Sequence, residues 1–525
     1  METLPGTGVE LIPRPVTLQD IQHCTAVLDA IVENRAVLAA IPAAARRALL
    51  IAAGRASRPQ GHEEKKLTKE FRRAGRRERG QLRMQDREVR ATTGIRAARV
   101  APVFVAPARL TSAEAQTEVD GQPELRHPRH CYVCKTDFTR MHFFYDSMCP
   151  ACAEFNYAKR FQTSSLEGRV ALITGARLKI GYQAALTMLR AGARVIVTTR
   201  FPHDAAQRYA READFAQWRG RLQIHGLDLR HAPSVEIFTR FLSHTCASLD
   251  ILINNAAQTV RRPPGFYAHL LEFEGVPFDN LPPEVRSLLA PHESCTRAIE
   301  NAAPTPKMAG GTALSSWQGE RAGIGLLASA RLSQIPYAFE AANGMDVFPA
   351  GKTDADLQQV DLRTQNSWRL TLGEVSTPEL LEVQLVNAVA PFILCSKLKP
   401  LMLRDKTGEK HIVNVSAMEG IFSRGTKTDK HPHTNMAKAA LNMMTLTSAR
   451  DYAQDGIFMN AVDTGWVTDE DPALHAARKQ EELDFQPPLD IVDGAARVCD
   501  PFFSGLISGE HQWGKFFKDY KPGNW

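Results

Sequence analysis

The sequence predicts an α/β fold on a doubly wound parallel sheet, preceded by a helical and basic N-terminal region and a small four-cysteine module. Two observations predict this. From residue 168 onward, short apolar runs alternate with helical patterns, which implies right-handed crossovers and a parallel sheet. Upstream of them, four of the nine cysteines fall within 22 residues. At 525 residues the chain is long enough for several domains, and 44% hydrophobic with 23% charged residues excludes a wholly disordered or fibrous protein. No apolar run reaches about 18 residues, so no membrane span is expected. Met1–Arg14 lacks a basic start followed by an apolar stretch, so a cytoplasmic chain is expected.

Residues 1–60 read as a helical region. Thr17 can cap a helix with Asp20 three residues on, and Ile21, Val27, Leu28, Ile31 and Val32 recur at helical spacing. A second helix is expected over Ala44–Ala53. Residues 61–126 form a basic segment and a linker. Residues 62–100 hold 13 Lys or Arg against 6 Asp or Glu, so the net charge of +6 sits in this segment and the rest of the chain is near neutral. A nucleic-acid or membrane-surface patch is one reading of the segment, and a solvated helix or flexible linker is the other. Few aromatics interleave the charges, where stacking on single strands would require several.

Residues 127–160 contain Cys131-x2-Cys134, fourteen residues, then Cys149-x2-Cys152. Each pair forms a knuckle aiming two thiolates at one centre, and two knuckles on a short hairpin complete a tetrahedral site. Zinc suits that site, and an iron–sulfur centre would use the same ligands. Four protein ligands close the site, so its role is structural. Metal binding would also fold a segment too short to build its own core. Phe143, Phe144, Tyr145, Phe155 and Tyr157 are expected to pack the module or dock it onto the domain C-terminal to it.

The sheet occupies 165–525. Val170–Ile173 reads as a buried parallel strand ending in Thr174-Gly175, with a helix from about Ile180 to Ala191. Ala193–Thr199, Leu222–Leu227, Ile251–Ile253, His411–Val415 and Phe458–Val462 supply further strands. Ligands in such sheets bind beyond the carboxyl ends of the strands.

The residues at those ends resemble the short-chain dehydrogenase/reductase family. Thr174-Gly175-Ala176-Arg177-Leu178-Lys179-Ile180-Gly181 is similar to its T-G-x-x-x-G-x-G loop, with Lys179 where the middle Gly belongs. Leu227-Asp228-Leu229 resembles the D-L/V element at the adenine, and Asn254-Asn255-Ala256-Ala257 resembles N-N-A-G. Val386–Phe392, Ile412–Ser416, Ala437–Leu441, Thr464–Thr468 and Gly514–Asp519 resemble later family segments in family order. The resemblance covers about 165–525 and implies a Rossmann-like domain that binds NAD or NADP. The implied cofactor residues are Thr174, Gly175, Arg177, Lys179, Ile180, Gly181, Arg200, Asp228, Leu229, Asn255, Ala256 and Lys438. The physics agrees: Gly175 permits a tight turn, Gly181 a close helix approach, and the helix N-terminus offers N–H groups to a pyrophosphate. An NAD enzyme would carry Asp or Glu after the second strand. Arg200 stands there instead and suits a 2′-phosphate, which favours NADP over NAD.

The implied catalytic set departs from the family pattern. Asn387 and Lys438 fit it. Thr434 stands where the proton-donating Tyr belongs, and Ala417 where the Ser belongs, with Ser416 one position early. Adjacent strand residues face opposite sides, so Ser416 is no automatic substitute. A Thr hydroxyl is a poor proton donor at neutral pH, so the usual general acid is missing. His431 or His433 could take the role if the loop turns inward. Against the family's usual spacing, residues 258–375 form an insertion, read as a lid or recognition subdomain or as a remote surface decoration, with short helices over Pro283–Leu289 and Ala322–Leu332 and a Gly310-Gly311 pair.

Three functions remain open on these grounds: an NADP-dependent oxidoreductase with an altered proton relay, a nucleotide-binding pseudoenzyme acting as sensor or scaffold, and a nucleic-acid-associated protein led by residues 62–100 and the zinc module. A small-molecule substrate and a homo-oligomer, as in the family, are the implied partners.

Overall fold

Short apolar runs become the central strands wherever the sequence also supplies a helix to cover them. In a computed structural model of the chain, residues 15–58, 61–109, 124–301, 323–335 and 347–525 are described. Met1–Arg14, part of the expected linker, Gly310-Gly311 and the start of Ala322–Leu332 lie outside these residues. The strands are β1 Glu124–His130, β2 Asp137–Arg140, β3 Val170–Thr174, β4 Arg194–Thr199, β5 Leu222–Gly226, β6 Ile251–Asn254, β7 Lys410–Ser416, β8 Ile457–Asp463, β9 Phe516–Lys518 and β10 Lys521–Gly523.

Eight strands form one sheet in the order β10-β9-β8-β7-β6-β3-β4-β5, parallel except for the β10 hairpin. The order reverses between β3 and β6, which opens a crevice beyond their carboxyl ends. This is the expected Rossmann-like sheet. Helices Lys179–Arg190 and Ile491–Ser508 pack on one face, through Ala185, Leu189, Val498 and Phe502 against Ile173, Val195 and Val413. Helices Ala232–Thr245 and Ala390–Met402 pack on the other, through Phe238, Leu394 and Leu398 against Leu172, Leu252 and Ile412. Each central strand is thus apolar on both faces, as its unbroken Val, Ile and Leu runs require. The helical run Thr377–Met402 is long and apolar enough to cross a membrane by length and composition, alone among the described residues. Sequence reading expected none; here the run's buried side chains cover the sheet.

The chain divides into units Met1–Arg83 and Met84–Trp525. In the first, Thr17 and Asp20 cap the helix Leu18–Glu33 reciprocally, as expected, and the second helix runs longer than expected, Ala43–Ser57. The basic segment 62–100 is helical over Gly61–Ala91 and again over Gly94–Val100, the helix reading and not the flexible-linker one.

In the second unit, β1 and β2 form an antiparallel hairpin whose tip carries Cys131 and Cys134. The second cysteine pair departs from the two-knuckle expectation: Cys149 caps the helix Pro150–Arg160, with Pro150 at its first position and Cys152 in its first turn. Phe143, Phe144, Tyr145 and Tyr157 are buried in one cluster with Val467, Leu489 and Ile491 of the sheet domain. Phe155 remains 44% exposed and meets Tyr520 edge-on at 5.6 Å. Arg160 adds a buried bidentate pair to Asp490 at 2.7 and 3.0 Å.

The insertion does two things. Its helix Pro283–Glu300 covers the β5 edge, burying Val285, Leu288 and Leu289 in the main core. Its flanking stretches turn back over the crevice, where Tyr267 and Gln358 join the lining.

Candidate nucleotide-binding cleft

The crevice at the strand-order reversal is a cleft of about 370 Å³, within the usual range for small-molecule sites. Ten of the sequence-derived residues line it: Gly175, Arg177, Lys179, Ile180, Gly181, Arg200, Asp228, Leu229, Asn255 and Ala256. Thr174 lies beneath, its hydroxyl accepting the N–H groups of Asn255 and Ala256 at 3.1 and 3.0 Å. The Asn255 amide in turn donates to the carbonyls of Thr174 and Gly175 at 3.0 and 3.1 Å, which ties the β3 and β6 ends together. Gly175 has φ +68°, and a Cβ there would lie 2.8 Å from Ala256 Cα. A Cβ on Gly181 would lie 2.6 Å from the Gly175 carbonyl. Lys179 has φ +54°, the left-handed backbone that explains why the related loops carry Gly at this position.

The charges sort the cleft arginines. Arg177 pairs with Asp204 at 2.6 Å, a carboxylate that Arg208 shares at 2.7 Å. Arg230 grips Asp228 through three guanidinium bonds of 2.7 to 3.1 Å and reaches Glu382 at 2.9 Å. Burial alone would raise the Asp228 carboxyl; Arg230 holds it below the usual range. Arg262 pairs with Asp361, and Arg261 with Glu382 at 3.3 Å. Arg200 differs. It donates to the neutral phenol of Tyr267 at 2.6 Å and stacks over that ring at 4.7 Å, and no carboxylate among the described residues lies within ion-pair distance. Sequence reading missed Tyr267, Arg261 and Arg262 in the insertion, Glu382 in the helix after it, and Arg230, the residue directly after Leu227-Asp228-Leu229.

The implied catalytic residues do not line the cleft. Asn387 sits in a π-helical turn, Leu385–Val389, its amide closed on the Gln258 backbone at 2.7 and 3.1 Å. Lys438 is buried and donates to the Val415 carbonyl at 2.8 Å; burial lowers its ammonium to about 8. Ser416 donates to Asn442 at 2.5 Å. The Thr434 hydroxyl is buried with no hydrogen-bond partner among the described residues. His431 is stacked on Trp368 at 3.9 Å, and burial lowers it to about 4. His433 is buried with its Nε2 3.6 Å from Glu379, beyond hydrogen-bond reach.

At the cysteine cluster, one sulfur from each of Cys131, Cys134, Cys149 and Cys152 lies within 4.8 Å of the others, and Cys134 and Cys149 are 3.7 Å apart. Tetrahedral zinc with sulfurs at about 2.3 Å would set such pairs about 3.8 Å apart, so the donor set fits a closed four-thiolate ion.

Residues 169–269 match a family model described as short chain dehydrogenase, and 365–486 one described as Enoyl-(Acyl carrier protein) reductase. A protein of Acanthamoeba polyphaga mimivirus is 29% identical over 393 residues, 71% of each chain. The rhamnolipids biosynthesis 3-oxoacyl-(acyl-carrier-protein) reductase of Pseudomonas aeruginosa is 36% identical over 92 residues, 18% of this chain and 34% of its own length. The solved RhlG/NADP active-site complex of Pseudomonas aeruginosa aligns with a TM-score of 0.39 at 17% identity, over 67% of this chain and 95% of that one. Both matched stretches fall within the residues of the parallel-sheet domain, and each covers less than half of the chain.

Proposed function

We propose that the chain is a divergent short-chain dehydrogenase/reductase that binds NADP(H), carries one structural zinc, and reduces or oxidises a small molecule with a non-standard proton relay. The observation that carries the cofactor choice is Arg200, the cleft arginine without a carboxylate partner among the described residues, just after β4. A 2′-phosphate would gain a charge-assisted, bidentate pairing there. Bound in the cleft, the cofactor would supply the hydride. The chain's own residues would hold its phosphates at the Gly175–Gly181 turn, and the proton relay does not run through the family's usual positions, because the Thr434 hydroxyl is buried without a partner among the described residues and Ser416 donates to Asn442. Arg200→Ala is expected to weaken NADPH binding about 10–100-fold, the worth of charged hydrogen bonds, while NADH binding changes little. Calorimetric titration of both variants measures this, and equal losses for the two cofactors would remove the 2′-phosphate role.

A second reading, a nucleotide-binding protein without turnover, is favoured by the Ser416–Asn442 bond and the partnerless Thr434 hydroxyl. Cofactor oxidation over a panel of aldehydes and ketones separates the two.

Lys438 gives a pH signature. Its folded value of about 8 lies below the ordinary lysine value of 10.5. Between these limits the unfolded chain binds the extra proton, so this group makes stability rise with pH across that window and fall as pH drops through about 8. Melting temperature followed from pH 7 to 10 should show the rise, and Lys438→Met should flatten it.

A further inference from the structure

We infer that Tyr132, inside the cysteine module, is a positioning residue for the cofactor cleft, so that metal occupancy at the four cysteines sets cofactor affinity. The inference rests on the zinc and NADP(H) readings above. Tyr132 stands between Cys131 and Cys134, in the knuckle that the metal would hold. Its phenol oxygen accepts the backbone N–H of Trp466 at 3.0 Å, 334 residues further along the chain. Trp466 belongs to the segment after β8, and two residues beyond it Thr468 lines the cleft, followed by Glu470. Gly465 has φ +75°, and a Cβ on it would lie 3.1 Å from the same phenol oxygen, so the knuckle and this segment are in direct packing contact.

A second cleft wall rests on the same support. Val467 and Ile491 are buried in the module's cluster with Cys131, Phe144 and Tyr145, and Ile180 packs against it. Ile180 opens the helix behind the phosphate turn and lines the cleft. A Cβ on Gly494 would lie 2.7 Å from Ile180 and 3.2 Å from Val467, so both side chains pack against the same glycine. The phosphate turn and the Thr468 wall are therefore both seated on the module. Loss of the ion frees two thiolate pairs whose closure holds Tyr132 in place. The cleft would then lose one wall's anchor.

The test uses the full chain and three measurements: zinc content, NADPH affinity, and amide hydrogen exchange of residues 464–468. Tyr132→Phe removes only the acceptor oxygen. It is expected to retain about one zinc per chain, to speed exchange at the Trp466 amide, and to weaken NADPH binding about 3–10-fold, the worth of one ordinary hydrogen bond. Chelation of the parent should do both at least as strongly, and added zinc should restore them. Unchanged exchange at 464–468 in both the variant and the chelated protein would overturn the inference, even if NADPH binds. Faster exchange in a parent protein that binds no NADPH would keep the coupling and overturn the cofactor reading instead.

Discussion

Ala417→Ser combined with Thr434→Tyr is expected to raise NADPH-dependent carbonyl reduction about 10²–10⁴-fold over the native chain, the contribution of a positioned general acid. Asn387 and Lys438 are the residues that the resemblance implies for the set, and the lowered Lys438 ammonium is buried one helical turn from residue 434. The native Thr434 hydroxyl is buried without a partner, so the position is polar, enclosed and without a proton to deliver at neutral pH. Ala417 comes directly after the last residue of β7 and has extended backbone, φ −164° and ψ 163°, which a Ser adopts without strain. Cofactor oxidation at saturating NADPH over aldehydes and ketones is the assay, with melting temperature as the folding control. A native rate already as high as the double variant's would mean that another group donates the proton. A further loss on His433→Ala would then assign the role to that residue.

Cys149→Ser is expected to abolish metal binding and to release the module. Structural zinc contributes on the order of 10–16 kcal/mol in small zinc-folded units, comparable with the whole stability of a typical domain. Cys149 stands at the N-cap position of the helix Pro150–Arg160 without a side-chain cap hydrogen bond, and Ser is a favoured residue there, so the change tests the metal and not the helix start. The loss should extend into the sheet domain, because Phe144, Tyr145 and Tyr157 share one cluster with Val467, Leu489 and Ile491. Elemental analysis should fall from about one zinc per chain to none, and hydrogen exchange should rise over residues 124–160. Parent protein purified without chelator and free of zinc would refute the metal assignment.

The sheet was legible in the sequence because a strand buried on both faces needs an unbroken apolar run. Val170–Ile173, Ile251–Ile253 and Ile412–Val415 are such runs. The phosphate turn was legible for a similar reason, since Gly175 and Gly181 stand where no Cβ fits. What the sequence did not disclose is the pairing of charges. Arg177 and Arg200 look alike as cations in a sequence, yet the first pairs with the carboxylate of Asp204 across 27 residues while the second donates to the phenol of Tyr267, 67 residues away. The insertion was illegible because its lining residues, Tyr267 and Gln358, belong to no periodic element that names a face. The second cysteine pair read as a knuckle but is a helix start, signalled only by Pro150.

The most direct test of the central claim, an NADP(H) cleft built around an uncommitted Arg200, is calorimetric titration of the zinc-loaded full chain with NADPH and with NADH. The account predicts saturable binding of about one NADPH per chain, at least about tenfold tighter than NADH, the worth of a charged hydrogen bond. Absent binding of both, or equal affinity for the two, would contradict it.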